Sequence, residues 1–182
     1  MVAGLFGKLP AHGDFVRRGW PDDVVDAIDD WLTTGIAEMR RSHDDDDFAE
    51  RMHAAPLWQG YVPPGLLGSL ALHVGVAPSV DRAGRLFPIA AGVAGDAAAA
   101  WCHAGSGFGA VLDGAIYDAL AGRGDADALI DALEASAVED ADRAAPGAGS
   151  AWWRGPPAGA PAIASAVVDA ALFRRLLCEE PA

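Results

Sequence analysis

The sequence has 182 residues, of which 52% are hydrophobic, and 13 Lys or Arg against 26 Asp or Glu give a formal net charge of −13. This length and apolar content predict one folded domain with a sizeable core. The acidic balance argues against nucleic acid and anionic membrane surfaces as partners, because both attract clusters of Lys and Arg. A basic protein partner stays open.

Cysteine usage and the N-terminus predict the compartment. Cys102 and Cys178 lie far apart in the sequence, which is typical of two reduced, buried thiols in a cytosolic protein. The first residues lack the charged region followed by a long apolar stretch that marks a signal peptide. Since no apolar run reaches the ~18 residues that a membrane span needs, we expect a cytoplasmic protein.

The first elements are a strand, a loop and a long helix. Residues 2–8 form a short apolar run that predicts a buried strand. Pro10, Gly13 and Gly19 punctuate the next segment, which predicts a loop. A helix is expected from Pro21, because proline suits the first helical position. Its apolar face has helical spacing and comprises Val24, Ile28, Trp31, Leu32, Ile36 and Met39.

The middle of the chain predicts a short helix and three strands. The acidic run 44–47 precedes the short helix, and residues 57–62 and 70–77 have the composition of strands. Residues 86–93 predict a further strand. Pro88 inside it indicates an edge strand or a bulge, because proline cannot donate to the hydrogen-bond ladder.

The last third predicts helices and two short strands. Helices are expected over residues 97–120 and 126–143, strands at 152–153 and 163–168, and a closing helix at 169–178. We expect the Trp pair at 152–153 to be packed rather than exposed. Strands that alternate with long helices predict an α/β domain. The expected fold is a single three-layer α/β/α sandwich over residues 1–182, with a mixed central sheet.

Two glycine-containing segments approach nucleotide-binding or catalytic motifs but fail their spacing. Gly7-Lys8 has no glycine five positions before Gly7, and Leu9 stands where a phosphate loop needs Ser or Thr. Gly105-Ser-Gly-Phe-Gly109 spaces its third glycine wrongly for a dinucleotide fingerprint, and Ala104 replaces the first glycine of a nucleophile elbow. We predict a kink or turn there. The five histidines include no i, i+4 pair for a metal, so we expect neither cofactor nor metal.

Two charged segments, at residues 8–18 and 81–85, form the candidate functional surface. One interpretation is purely structural, with Asp14 or Asp81 paired to Arg85; another, compatible with it, is a polar patch shared by both segments. His12 and Asp14 could also be an acid–base pair, although no nucleophile is recognisable. The candidate protein-docking residues are Lys8, His12, Asp14, Arg17, Arg18, Asp81 and Arg85.

Three segments, in this order, resemble one family. The opening Gly4-Leu-Phe-Gly-Lys-Leu-Pro-Ala-His-Gly-Asp-Phe-Val-Arg-Arg-Gly19 and Pro78-Ser-Val-Asp-Arg-Ala-Gly-Arg-Leu-Phe-Pro88 are similar to the two signatures of the TagF (ImpM-like) type VI secretion-associated proteins. Ser150-Ala-Trp-Trp-Arg-Gly155 is similar to the late Trp-Trp element of the family. The sequence departs from the pattern at Ala83, where Val is usual, at Leu86, where Tyr is usual, and at Arg154, where a hydroxyl residue is common.

The resemblance implies a function as well as a fold. It implies an α/β domain without catalytic residues, acting in the cytoplasm as a posttranslational regulator of type VI secretion, chiefly a repressor. The implied partner is the forkhead-associated scaffold protein of that system. Some relatives carry a fused phosphatase domain, for which this chain is too short.

Two other functions stay open at this point. One is a small hydrolase or nucleotide-binding enzyme that uses Lys8, His12 and Asp14 in a cleft, which would require these side chains to converge. The other is a structural component of the secretion apparatus assembled from several copies, since the sequence does not define the oligomeric state.

Overall fold

Groups of strands and groups of helices alternate along the chain. The computed structural model describes residues 1–96, 107–136, 148–155 and 163–178. In chain order the elements are β1 (Val2–Gly7), β2 (Val16–Arg18), α1 (Asp22–Ser42), α2 (Asp45–Ala54), β3 (Trp58–Val62), β4 (Ala71–Ala77), β5 (Ile89–Gly95), α3 (Phe108–Leu120), α4 (Ala126–Glu134), β6 (Ser150–Trp153), β7 (Ile163–Ser165) and α5 (Ala170–Leu177).

Helix α1 is the longest element and confirms the predicted helix after Pro21. Asp22 and Asp23 lie in its first turn and Arg40 and Arg41 in its last, where each charge is stabilised by the helix dipole. Of the predicted apolar face, all but the partly buried Ile36 are fully buried. The short second helix is also confirmed, and the Asp44 side chain caps it by accepting the backbone N–H of Asp47.

The seven strands form one sheet in the order β2-β1-β5-β4-β3-β6-β7. Each of the six pairings between these described strands is antiparallel. The α/β class is therefore confirmed, but the expected mixed sheet is wrong. Hydrophobic patterning defines which residues form strands, whereas the direction of each strand depends on how the connections cross the sheet.

Strand β5 also corrects a prediction. It pairs with β1 on one side and with β4 on the other, so it is a central strand rather than an edge. Pro88 does not interrupt it, because β5 begins at Ile89. Proline has no backbone N–H to donate. The Pro88 carbonyl nevertheless takes part in the backbone hydrogen bonding, because it accepts the N–H of Lys8.

The buried side chains form two hydrophobic clusters that use alternate residues of the same strands. Along β5, Ala90 and Ala94 belong to the cluster that includes α1, α2 and α5. Ile89, Ala91 and Val93 belong to the cluster that includes α3 and α4. Since successive residues of a strand point to opposite faces of the sheet, helices cover both faces.

The C-terminal elements complete this sheet and core. Strand β6 pairs with β3 and places Trp152 and Trp153 in the interior, with 0% and 6% of their surface exposed. This confirms the predicted packing of the Trp pair. Helix α5 packs along α1, where the Phe173 ring meets Gly35 and stands edge-on to Trp31.

Several predictions lie partly or wholly outside the described residues. These are the helical segment 97–106 with Cys102 and the start of the Gly105–Gly109 turn, and residues 137–143 of the last long helix. That helix is shorter than predicted, because α4 ends at Glu134 and the described residues 135–136 lie outside it. Cys178 is buried as predicted. The strand predicted for 163–168 is shorter, since β7 ends at Ser165. In the described ranges no helix combines the length and apolar character that crossing a bilayer requires.

Candidate functional site

The segment 81–85 is a tight turn built around one carboxylate. Asp81 Oδ1 accepts the backbone N–H groups of Ala83 at 2.9 Å and of Arg85 at 3.0 Å. Gly84 closes the turn by donating its N–H to the Asp81 carbonyl, and its φ of 78° lies in the left-handed region. That conformation is accessible to glycine without the Cβ penalty, so this sequence determines the shape of the turn.

The same carboxylate joins the turn to Lys8, the residue that follows strand β1. Asp81 Oδ2 lies 3.1 Å from Lys8 Nζ and 2.6 Å from Arg85 Nε. The Lys8 and Asp81 side chains are 8% and 0% exposed, whereas that of Arg85 is 59% exposed. A buried carboxylate with two cationic partners and two backbone donors has its hydrogen-bonding capacity filled. This cluster therefore holds the turn in place beneath the surface.

Charge and hydrogen bonding determine the ionisation of Asp81. Burial acts to raise the pKa of its carboxyl, because a charged group loses hydration. The Arg85 N–H, the Lys8 ammonium, the Arg85 guanidinium and the Ala83 N–H act in the opposite direction and hold the pKa well below its usual range. Asp81 is therefore an anion at any physiological pH, which makes it unsuited to proton transfer there.

Two arginines of the turn fasten the loop that follows β1. Arg85 Nη2 donates to the Gly13 carbonyl at 2.8 Å, and Arg82 Nη2 donates to the Ala11 carbonyl. The Arg82 backbone N–H also donates to the His12 carbonyl at 2.8 Å. The two segments that the sequence placed in one patch are thus connected by side-chain and backbone bonds.

An exposed aromatic ring lies on this joined surface. Phe15 is 47% exposed; its ring stacks on Phe6, with centroids 5.8 Å apart, and meets Phe87 edge-on at 4.7 Å. Lys8 Nζ lies 5.0 Å from the Phe15 centroid, a distance that permits a cation–π interaction. We call Phe15, Arg17 and Arg85 the Phe15 patch, since Arg17 lies opposite Phe6 in the register of β1 and β2 and Arg85 shares the Asp81 carboxylate with Lys8. Arg18 lies opposite Leu5 and pairs with Asp127 of α4, so its side chain is on the other face of the sheet.

The remaining predicted site residues are engaged separately. His12 Nε2 accepts the Ala126 N–H at 3.2 Å, and Asp14 Oδ1 accepts the Phe15 N–H at 2.8 Å. Arg17 pairs with Asp22, and Arg18 Nε lies 2.8 Å from Asp127 Oδ1. Lys8, His12 and Asp14 therefore each bond to a different group, and none of these bonds joins one of the three to another. In the described ranges no group of three or more His, Cys, Asp or Glu could hold a metal ion.

Phe15 is the residue of this site that the charge pattern did not indicate. It immediately precedes β2, in which Val16 is buried. Because side chains alternate along an extended segment, a buried Val16 places Phe15 on the opposite face of the sheet, where it stacks on Phe6. The signal that could have identified Phe15 is a large aromatic residue directly before the buried residue of a very short strand.

Comparison with known proteins gives the family. A sequence profile described as the TagF N-terminal domain, type VI secretion system-associated, matches residues 4–136, nearly three quarters of the chain. The chain belongs to the TagF family. The residues that form the Phe15 patch and the Asp81 turn all lie inside the matched range, and β6, β7 and α5 lie beyond it.

A solved structure confirms that the fold extends beyond the matched range. The crystal structure of PA0076 from Pseudomonas aeruginosa PAO1 superposes on this TagF protein with a TM-score of 0.76 at 24% sequence identity. The similarity covers 98% of this chain and 94% of that chain. No curated protein matches the sequence.

Proposed function

We propose that this TagF protein is a non-enzymatic, cytoplasmic regulator of type VI secretion, chiefly a repressor, which binds the forkhead-associated scaffold protein of the system. The family association with type VI secretion supports the biological setting. For this function we take residues 1–182 as one three-layer α/β/α domain, since β6 and β7 continue the sheet and helices contribute to clusters on both of its faces.

The observation that carries the proposal is the Phe15 patch on a rigid base. An aromatic ring that is 47% exposed, with the exposed Arg17 and Arg85 in the same patch, has the composition of an interface hot spot. The loop beneath it is fixed by the buried Lys8–Asp81 pair and by Arg82 and Arg85. A surface that is already ordered loses little conformational entropy on binding. Lys8 and Asp81 therefore act as supports beneath the patch, and Phe15, Arg17 and Arg85 as contacts.

The enzyme alternative has less support than binding. It needs Lys8, His12 and Asp14 to converge on a cleft, and the hydrogen bonds of these side chains lead to Asp81, Ala126 and Phe15 instead. Asp14 is exposed and caps the backbone beside it rather than orienting a histidine. Binding of a partner requires only the exposed residues of this loop, in the positions that they have in the structure.

The test is a binding measurement with the purified forkhead-associated protein of the same system. Phe15→Ala combined with Arg17→Ala should weaken the complex at least about tenfold, which corresponds to about 1.4 kcal/mol. Tyr117→Ala is the matched control, because Tyr117 is an aromatic residue on α3 that is 52% exposed and lies outside the patch. It should leave the dissociation constant unchanged.

The outcomes separate the surface from the partner. Equal binding by the wild type and the double variant would show that the Phe15 patch is not the contact surface. Absence of binding by the wild type would show that the partner is wrong. Regulation is tested in cells: deletion of the gene should increase secretion and overexpression should decrease it if the protein represses, and the opposite response would contradict repression.

A further inference from the structure

A groove runs between helix α1 and the start of helix α5, apart from the Phe15 patch. It encloses about 480 Å³, a volume that suits several side chains of a bound segment. Its floor is apolar and includes Trp31, Leu67 and Val168. The Trp31 indole N–H donates to the Asp169 carbonyl at 2.9 Å, so the floor is fixed in position by a bond across the groove.

Carboxylates line the rim of this groove. Asp30 and Glu38 stand on α1 and Asp169 caps α5. Asp30, Thr34 and Glu38 follow at i, i+4 and i+8, so they form one row along the helix. With a rise of 1.5 Å per residue, the two acidic residues of the row lie about 12 Å apart along the axis.

Cationic side chains of the described residues do not pair with these acidic groups. Among the ion pairs of the described residues, none involves Asp30, Glu38 or Asp169. The Asp169 carboxylate accepts the Leu172 N–H at 2.9 Å as the helix cap. By contrast, Arg17, Arg18 and Arg85 each pair with an aspartate. The groove therefore presents unneutralised negative charge above an apolar floor.

We infer that the groove docks a basic, partly apolar helical segment of a partner protein. Two cations one heptad apart on a helix are separated by about 10.5 Å along the axis, close to the spacing of Asp30 and Glu38. Apolar side chains three and four residues after the first cation would lie between them on the same face and meet Trp31 and Val168. This is a second contact surface, which does not depend on the Phe15 patch.

The alternative explanation is that the acidic row only solvates α1. Acidic residues on an exposed helix face are common, and those near a helix N-terminus also complement the dipole. Glu38, however, lies far from the N-terminus of α1, so the dipole does not account for a negative charge there. Its position on the rim of an apolar groove, in one row with Asp30, favours a cationic partner.

The test uses a fluorescein-labelled peptide as the probe. The peptide is a helical Ala-rich sequence with Lys at positions i and i+7 and Leu at i+3 and i+4, and a second peptide carries Glu in place of both Lys. The Lys peptide should bind in the micromolar to submillimolar range, and the Glu peptide should not. Amide NMR shifts on addition should be largest at groove residues such as Ala27, Thr34, Ala170 and Ala171.

Two charge-reversal variants provide the matched comparison. Asp30→Lys with Glu38→Lys should weaken binding of the Lys peptide at least about tenfold. Asp46→Lys with Glu50→Lys makes the same change of net charge on the exposed face of α2 and should leave binding unchanged. If the first double variant does not fold, Asp30→Asn with Glu38→Gln should still weaken binding roughly threefold.

Three results would overturn the inference. They are absence of binding of the Lys peptide at millimolar concentration, equal losses in the groove and α2 variants, and largest shifts outside the groove. The Phe15→Ala, Arg17→Ala variant separates the two surfaces. It should bind the Lys peptide like the wild type, and loss of binding there would place the peptide on the Phe15 patch instead.

Discussion

Two interior helix glycines should respond in opposite ways to the same substitution. Alanine is favoured over glycine in a helix interior by about 1 kcal/mol, so Gly35→Ala in α1 and Gly114→Ala in α3 gain the same backbone term. A Cβ at Gly114 meets no atom within 4 Å, whereas one at Gly35 would lie 2.2 Å from Phe173 Cγ. The two sites therefore differ in packing and not in helix propensity.

The size of the difference follows from what must move. The contact is with the base of the Phe173 ring, whose exposure is 0%, so relief requires α5 to shift rather than a side-chain tip to rotate. Overpacking of this kind costs up to about 3 kcal/mol. With the gain of about 1 kcal/mol subtracted, Gly35→Ala should lose about 2 kcal/mol, and Gly114→Ala should gain about 0.5–1 kcal/mol.

Urea unfolding followed by far-UV circular dichroism measures both changes. In thermal melts followed by the same signal, at roughly 2–4 °C per kcal/mol for a chain of this length, the melting temperature should fall about 4–8 °C for Gly35→Ala and rise about 1–4 °C for Gly114→Ala. In a Phe173→Ala background the penalty at Gly35 should shrink to near zero, because alanine lacks the Cγ and Cδ atoms that a Cβ at Gly35 would meet. Equal stabilisation by both single variants would refute the close contact between α1 and α5.

The other predictions concern the core, the turn and acid stability. Trp152→Ala should cost about 3–5 kcal/mol in urea unfolding because the ring is fully buried, whereas Val167→Ala, at an exposed site, should change stability by less than about 0.5 kcal/mol; similar values would contradict the assigned core. Gly84→Ala should cost about 1–2 kcal/mol, since φ is 78° with open space around the Cβ position, and Gly84→Asn should recover part of that loss. The lowered pKa of Asp81 stabilises the fold fully above the unfolded value of about 3.9, and this contribution is lost as the pH falls toward the folded value. The urea midpoint of the wild type should therefore drop more steeply below about pH 4 than that of Asp81→Asn, and parallel pH profiles would show that the carboxylate is not stabilised by folding.

Local chemistry allowed much of the fold to be predicted. Helix α1 has a proline start, acidic residues in its first turn, arginines in its last turn and an apolar face, and all four signals agree. Strand β2 was missed because it has three residues and lies in a segment whose glycines indicate a loop. A strand this short has no periodicity to detect, and its existence depends on pairing with β1.

The sequence predicted which segments form the site, but not which of their residues are buried. The sequence placed the Lys8–Arg18 loop and the Asp81 turn in one patch, and the bonds of Arg82 and Arg85 to that loop agree with this. The burial of a charged side chain here depends on how close the turn lies to the end of β1. That distance cannot be predicted from the pattern of residues. Lys8 and Asp81 are therefore buried supports, and Phe15 provides the exposed contact.

The pairing of β6 with β3 has a consequence for synthesis of the chain. Strands β1 to β5 precede residue 96, whereas β6 begins at Ser150. While the ribosome is still adding the last quarter, β3 presents an unpaired edge, and the space that Trp152 fills next to Gly60 is empty. A strand whose edge is unpaired and whose apolar side chains are uncovered is a template for aggregation. Nascent chains that stall before Ser150 should therefore be recognised by chaperones, and chains that pass it should be released.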